Sequence, residues 1–172
     1  MRFEIQMERV EGYSANGYDE AEYMIAVNVG ESLKPLAKVA SGGELSRVML
    51  ALKTVLADKD EVESIIFDEI DTGISGRTAQ KVSEKMALIG KNRQVICITH
   101  LPQIASMADS HYLIEKTVQQ QMTMTGIRKL KPSEQIEELA RMLGGVEITE
   151  KVLENAQEMK NQAFQLKTKN CQ

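Results

Sequence analysis

The sequence has 172 residues, 42% of them hydrophobic and 27% charged, with a formal net charge of −4. That length suits one domain with a sizeable core rather than two, and no apolar run approaches the roughly 20 residues of a membrane span. There is no basic surplus for nonspecific DNA binding, and with no Trp, three Phe and four Tyr there is no aromatic platform for stacking bases.

Phe3, Ile5 and Met7 alternate with Glu4, Gln6 and Glu8, and Tyr23, Ile25, Val27 and Val29 alternate with polar or small neighbours. A period of two predicts half-buried strands. Gly12, Asn16 and Gly17 lie between them, so residues 11–19 are expected to form the longer loop of an antiparallel hairpin. From Ser41 the period becomes helical, with Leu45, Val48, Met49, Leu52 and Leu56 on one face and an end near Ala57. Residues 64–68 read as a strand. Ser75 is placed to cap a helix carrying Ala79, Val82, Met86 and Ile89 and ending at Gly90. Residues 94–99 read as a second strand, and Pro102 suits the first turn of a short helix reaching Ala108. Strand, helix, strand, helix predicts an α/β fold with a mostly parallel sheet and flanking helices.

Beyond Asp109, residues 112–114 and 122–127 read as an edge hairpin turning at residues 119–121. Arg128, Lys129 and Lys131 make a short basic stretch that reads as a solvated face rather than a phosphate track. Ser133 is placed to cap a helix carrying Ile136, Leu139, Ala140 and Leu143 and stopped by Gly144 and Gly145. Thr149 is placed to cap a last helix with Val152, Ala156, Met159 and Ala163, and residues 167–172 are expected to fray. Cys97 reads as a small core residue, Cys171 has no assignable partner, and no disulfide framework or zinc site is implied. The first ten residues contain no apolar signal core, which points to a cytosolic protein.

The polar chemistry concentrates at three places. Ser41 and Glu44 fit the Ser-x-x-Glu capping box, which leaves Gly42 and Gly43 unexplained, because each glycine in a helical turn costs about 1 kcal/mol. Close approach of an anion to the bare amides of the helix start explains them. Next, the apolar residues 65–67 run into Asp68, Glu69 and Asp71, and carboxylates at the C-terminal end of a parallel strand lie where such sheets bind ligands. Neighbouring strand residues face opposite ways, so Asp68 and Glu69 are expected to divide their work. Asp68 would orient magnesium through its water shell, and Glu69 would polarise an attacking water. The competing reading is a solvated acidic loop. Third, residues 96–98 run into Thr99 and His100; taken alone, that histidine reads more readily as a helix cap or a partner for a neighbouring loop.

In this order the three places resemble the parts of an ABC-type ATPase. Residues 41–47 are similar to the signature loop, 65–69 to the Walker B strand with its catalytic glutamate, 71–75 to the D-loop, and His100 to the switch histidine. Within that family, residues 38–47, 67–76, 99–103 and 144–149 are similar to the branch related to structural-maintenance-of-chromosomes (SMC) proteins that serves bacterial double-strand-break repair. The resemblance implies ATP and Mg2+ as ligands, Glu69 and His100 as catalytic residues, Ser41, Gly42, Gly43, Glu44 and Asp71 at the nucleotide, and Asp68 at the metal.

No Gly-x-x-x-x-Gly-Lys-Ser/Thr occurs anywhere in the chain. In the resembling family that P-loop lies in an N-terminal half beyond a long coiled coil, and two heads sandwich ATP. The resemblance therefore implies one domain over residues 1–172 that is half a head, with three partners: the P-loop half, a second head in an ATP-dependent homodimer, and DNA through the whole protein. A metal-dependent nuclease or topoisomerase-primase-like site, with Glu69 and Asp71 as ligands, and a non-enzymatic dimerisation module are the alternatives.

Overall fold

The computed structural model describes residues 2–38, 41–56, 61–119, 122–145 and 147–169. Strands β1 (Arg2–Ser14) and β2 (Gly17–Ala26) form the expected antiparallel hairpin, and a two-residue strand β3 (Lys34–Pro35) pairs with the end of β2. The expected long loop at 11–19 is absent, because the strands continue to a tight turn where the Ser14 hydroxyl donates to the Gly17 carbonyl (2.9 Å). Side chains hold the extension: the Tyr13 and Tyr18 rings lie 4.1 Å apart, and Arg9 stands over Tyr18. Gly12 and Gly17, both at positive φ, absorb a register irregularity between Arg9 and Ser14 and the turn itself.

Helix α1 (Gly42–Val55) leads to β4 (Ser64–Phe67), α2 (Gly76–Ile89), β5 (Gln94–Cys97) and the single turn α3 (Pro102–Ala105). Ala57, the expected end of α1, lies outside the described residues; Leu56 is its C-cap. Strands β4 and β5 are parallel, with Ile65 opposite Val95 and Phe67 opposite Cys97. Their inner face meets Leu50, Ile70, Val82, Met86, Ile89 and Ile104 in the main core. Burial pushes the Cys97 thiol up to about 12, which makes it an inert core residue.

The sheet departs from expectation in composition: among the described residues the parallel part is these two short strands, and most strand residues lie in antiparallel hairpins. Parallel strands are ordinarily buried on both faces. Here Ile66 is 67% exposed, and Ile96 and Ile98 also lie open on the outer face. Helix α1 likewise buries Val48 and Leu50 while Leu45 and Met49, expected inside, are exposed. Apolar residues surround this helix, and only one side of it meets the core.

Strands β6 (Tyr112–Gln119) and β7 (Met122–Lys129) form the second hairpin; residues 120 and 121 of its expected turn lie outside the described residues. Arg128 is held by Glu134 (2.8 Å) and faces Glu115 (3.8 Å), as suits a solvated face. Helices α4 (Pro132–Gly144) and α5 (Glu150–Lys169) pack with α3 around Ala105, Leu139, Ala140 and Ala156. Pro132, not Ser133, opens α4: proline suits the first helical position, so the cap moves to Lys131, whose N–H donates to the Glu134 carboxylate (2.7 Å). Helix α5 continues past the expected fraying point because Lys160 donates to the Ala108 carbonyl (2.8 Å) and Lys167 pairs with Asp109 (2.6 Å). Residues 170–172, with Cys171, lie outside the described residues. No helix among the described residues is long and apolar enough to cross a membrane.

Candidate functional site

The three polar stretches meet at one end of the β4–β5 pair. Ser41 is the N-cap of α1 in extended conformation (φ −120°, ψ 134°), and its Oγ accepts from the Glu44 N–H at 3.1 Å. Five residues on, the Ser46 hydroxyl donates to the Asp68 carbonyl (2.8 Å), and Arg47 donates to the carbonyls of Ile70 (3.1 Å) and Thr72 (2.9 Å). The first two turns of α1 are thereby fastened to the segment that follows β4.

That segment has an unusual backbone. Glu69 has φ +56°, the sole described non-glycine residue at positive φ, a conformation that costs on the order of 1–3 kcal/mol and persists where its surroundings enforce it. The Glu69 N–H donates to Asp68 Oδ1 (2.9 Å), the Thr72 N–H donates to the Glu69 carbonyl (3.0 Å), and Arg47 holds the two carbonyls beyond. The turn directs the exposed Glu69 carboxylate onto the start of α1, where a Cβ on Gly42 would collide with Glu69 Oε2. A Cβ on Gly43 would lie 2.8 Å from the Glu69 carbonyl and 3.0 Å from that of Thr72. Gly43 therefore has a packing reason within this chain, whereas the atom nearest Gly42 is the movable end of the exposed Glu69 side chain.

Gly43→Ala tests this interlock. Alanine is the better helix former by up to about 1 kcal/mol, but backbone carbonyls cannot swing aside as a side-chain end can, and overpacking costs about 1–3 kcal/mol. Net destabilisation of about 1–2 kcal/mol is expected in urea unfolding. A stabilised variant would show that helix propensity governs this position.

Asp71 is 4% exposed. Its Oδ2 accepts from Thr99 Oγ1 (2.7 Å) and the His100 N–H (2.9 Å), and His100 Nδ1 lies 3.0 Å away. Burial pushes this carboxyl up, but the Thr99 hydroxyl, the His100 amide and the His100 charge outweigh it and leave it below the usual carboxylate value. Asp71 thus bridges the β4 segment to the end of β5 and turns its acceptor inward. Glu44, whose N–H donates to Ser41, also lines a depression with Ile25, Val27, Asn28, Glu31, Lys34 and Lys38. Ser75 precedes α2 without capping it through its side chain. Sequence reasoning assigned no task to Ser46, Arg47 or Thr99, the residues that tie the three stretches together; each lies within a motif, yet its partner is 22 to 28 residues away.

The fold is shared with a solved head domain. The solved Smc head domain with coiled coil and joint from Pyrococcus yayanosii is similar over 72% of this chain and 22% of that one, with a TM-score of 0.51 and 22% identity. The sequence is homologous to a segment of the DNA repair proteins RecN. It is 49% identical to that of Halalkalibacterium halodurans over 169 residues, 96% of this chain. It is also 49% identical to that of Bacillus subtilis over 152 residues, 88% of this chain. The chain spans 30% and 26% of the length of these two curated relatives. No protein-family model matches it.

Proposed function

We propose that the chain is the C-terminal lobe of a RecN-like ATPase head, a single unit over residues 1–172 that is completed by a P-loop-bearing N-terminal half of the same protein. Two such heads close on ATP and Mg2+ as a homodimer, and the whole protein acts on DNA in double-strand-break repair, in the cytoplasm at the nucleoid. The RecN relatives carry the repair assignment by name. The observation that carries the chemistry is Glu69, held at φ +56° at the C-terminal end of β4 beside the start of α1.

In this reading Ser41, Gly42, Gly43 and Glu44 face the nucleotide of the neighbouring head, with Ser41 at the helix start adding a hydroxyl to the amide donors. Glu69 accepts the proton of the water that attacks the terminal phosphate, and His100 contacts that phosphate. The residues fit magnesium in one respect: Asp68 Oδ1 is engaged by the Glu69 N–H, its other oxygen has no hydrogen-bond partner among the described residues, and one carboxylate plus water and phosphates is a common magnesium environment. The ion would neutralise phosphate charge. Asp71 belongs to the same turn and acts through His100 rather than at the nucleotide. The open outer face of β4–β5, with Ile66, Ile96 and Ile98, is the surface the P-loop half covers.

A nuclease-type site asks Glu69 and Asp71 to share a metal. Asp71 Oδ2 is already engaged by Thr99 and His100, and no group of three metal-ligating side chains occurs among the described residues.

Positioning and charge neutralisation of the phosphates supply most of phosphoryl-transfer catalysis, and this chain has no P-loop lysine. The purified chain is therefore expected to hydrolyse ATP at background, with turnover appearing when a P-loop half is joined through a short linker. Robust hydrolysis by the chain alone, cleared of contaminating ATPase, overturns the half-head reading.

A further inference from the structure

We infer that Asp71 is a positioning residue for His100: its buried carboxylate fixes the imidazole with Nδ1 protonated and turned inward, and Nε2 turned to the outside. The inference deepens the proposed function, and its catalytic meaning rests on that reading. The hydrogen-bond geometry stands by itself.

The argument begins with the unequal exposure of the pair. The His100 side chain is 74% exposed, whereas Asp71 is 4% exposed. An imidazole at a strand end with that much access to water has no packing to hold its ring. A carboxylate buried to that extent needs hydrogen-bond partners, because an unpaired buried charge is strongly destabilising. Two of its partners do structural work. The Thr99 hydroxyl donates to Asp71 Oδ2 at 2.7 Å and accepts from the Leu101 N–H at 3.0 Å, and the His100 N–H donates to the same Oδ2 at 2.9 Å. Together they secure the end of β5 against the turn after β4.

The third contact, His100 Nδ1 at 3.0 Å, adds nothing that the backbone needs. It does constrain chemistry. A carboxylate only accepts, so Nδ1 carries the proton in this contact, and a neutral ring then leaves Nε2 bare. A neutral imidazole free in water prefers the opposite form, with the proton on Nε2. The buried Asp71 therefore selects the less common tautomer and aims its one free nitrogen outward. Neutral, that nitrogen accepts a hydrogen bond from a water or hydroxyl; to donate to an anion such as a phosphate oxygen it first takes up a proton, and Nδ1–H stays on Asp71 in either state. Because Thr99 precedes His100 and holds the same oxygen, the ring's direction is tied to the Glu69 turn.

The chain has two histidines, His100 and His111, so both are assignable by long-range proton–nitrogen NMR on the 15N-labelled protein. At alkaline pH, where the rings are neutral, the His100 Nε2 resonance is expected at the shift of an unprotonated nitrogen and Nδ1 at that of a protonated one. Asp71→Ala should reverse the two. Thr99→Val removes a different bond to the same carboxylate and should leave the His100 pattern as it was, with His111 as the internal reference in every sample. A wild-type His100 carrying its proton on Nε2 overturns the inference, whether or not Asp71→Ala folds, and so does a pattern that Asp71→Ala leaves unchanged. The experiment needs no nucleotide. Its failure leaves the half-head reading standing, and an inactive reconstituted head leaves the Asp71–His100 assignment standing.

Discussion

Glu69→Gln in a head completed with its P-loop half is expected to retain ATP and the closed dimer while hydrolysis falls by about 10²–10⁴-fold, the usual contribution of a positioned general base. The amide matches the carboxylate in shape, so it keeps the packing against Gly42 and leaves the backbone of the turn undisturbed. What it loses is the ability to accept a proton from the attacking water. The strained φ of +56° at this residue is held by Asp68, Thr72 and Arg47 through hydrogen bonds to the main chain of the turn rather than to the Glu69 carboxylate. Stability should therefore change little. Single-turnover hydrolysis beside size-exclusion chromatography with ATP separates the two effects. Hydrolysis at the unmodified rate would remove Glu69 as the base, and collapse of the dimer along with activity would mean that its charge, not its basicity, is what matters.

The sequence made the order of the site legible because each part is local: a Ser-Gly-Gly helix start, an apolar strand ending in Asp-Glu, a second strand ending in Thr-His. Strand and helix periods located β4, α2 and β5 to within one or two residues, since Ala79, Val82, Met86 and Ile89 fall on one face that is buried. What sequence periodicity did not carry is contact at a distance. The family resemblance placed Asp71 at the nucleotide; its burial against Thr99 and His100, 28 and 29 positions on, is a contact that no local pattern carries. The glycines of α1 were read against an anion alone; for Gly43 the structure adds the carbonyls of Glu69 and Thr72, which a Cβ would crowd and which no local pattern reveals. Helix α1 shows a further reason for error. Leu45, Val48 and Met49 share the expected face, yet of these three only Val48 is buried, and Leu50 from outside that set is buried with it; a pattern with apolar residues on more than one face does not say which of them is covered.

Ser41→Arg in the completed head is expected to spare the first ATP-binding step and abolish ATP-driven dimerisation. Ser41 caps α1 through a 3.1 Å bond from the Glu44 N–H, so two roles compete for its hydroxyl. As a cap alone it contributes on the order of 1 kcal/mol, and a cation at the positively polarised helix start adds a few tenths more. A protein destabilised by that amount still folds and still dimerises with ATP. As a phosphate contact in the proposed sandwich it does something else: the long guanidinium side chain fills the space where the neighbouring head's terminal phosphate meets the bare amides of Gly42 and Gly43, and the two heads cannot close. Hydrolysis falls with closure, because the signature loop and the P-loop must meet across the same nucleotide. The Glu69→Gln background keeps ATP intact during the measurement, so size-exclusion chromatography reads closure directly and a thermal melt reads the cap. Dimer loss at nearly unchanged stability supports the phosphate role. A lower melting temperature with the dimer intact would leave Ser41 a helix cap and nothing more.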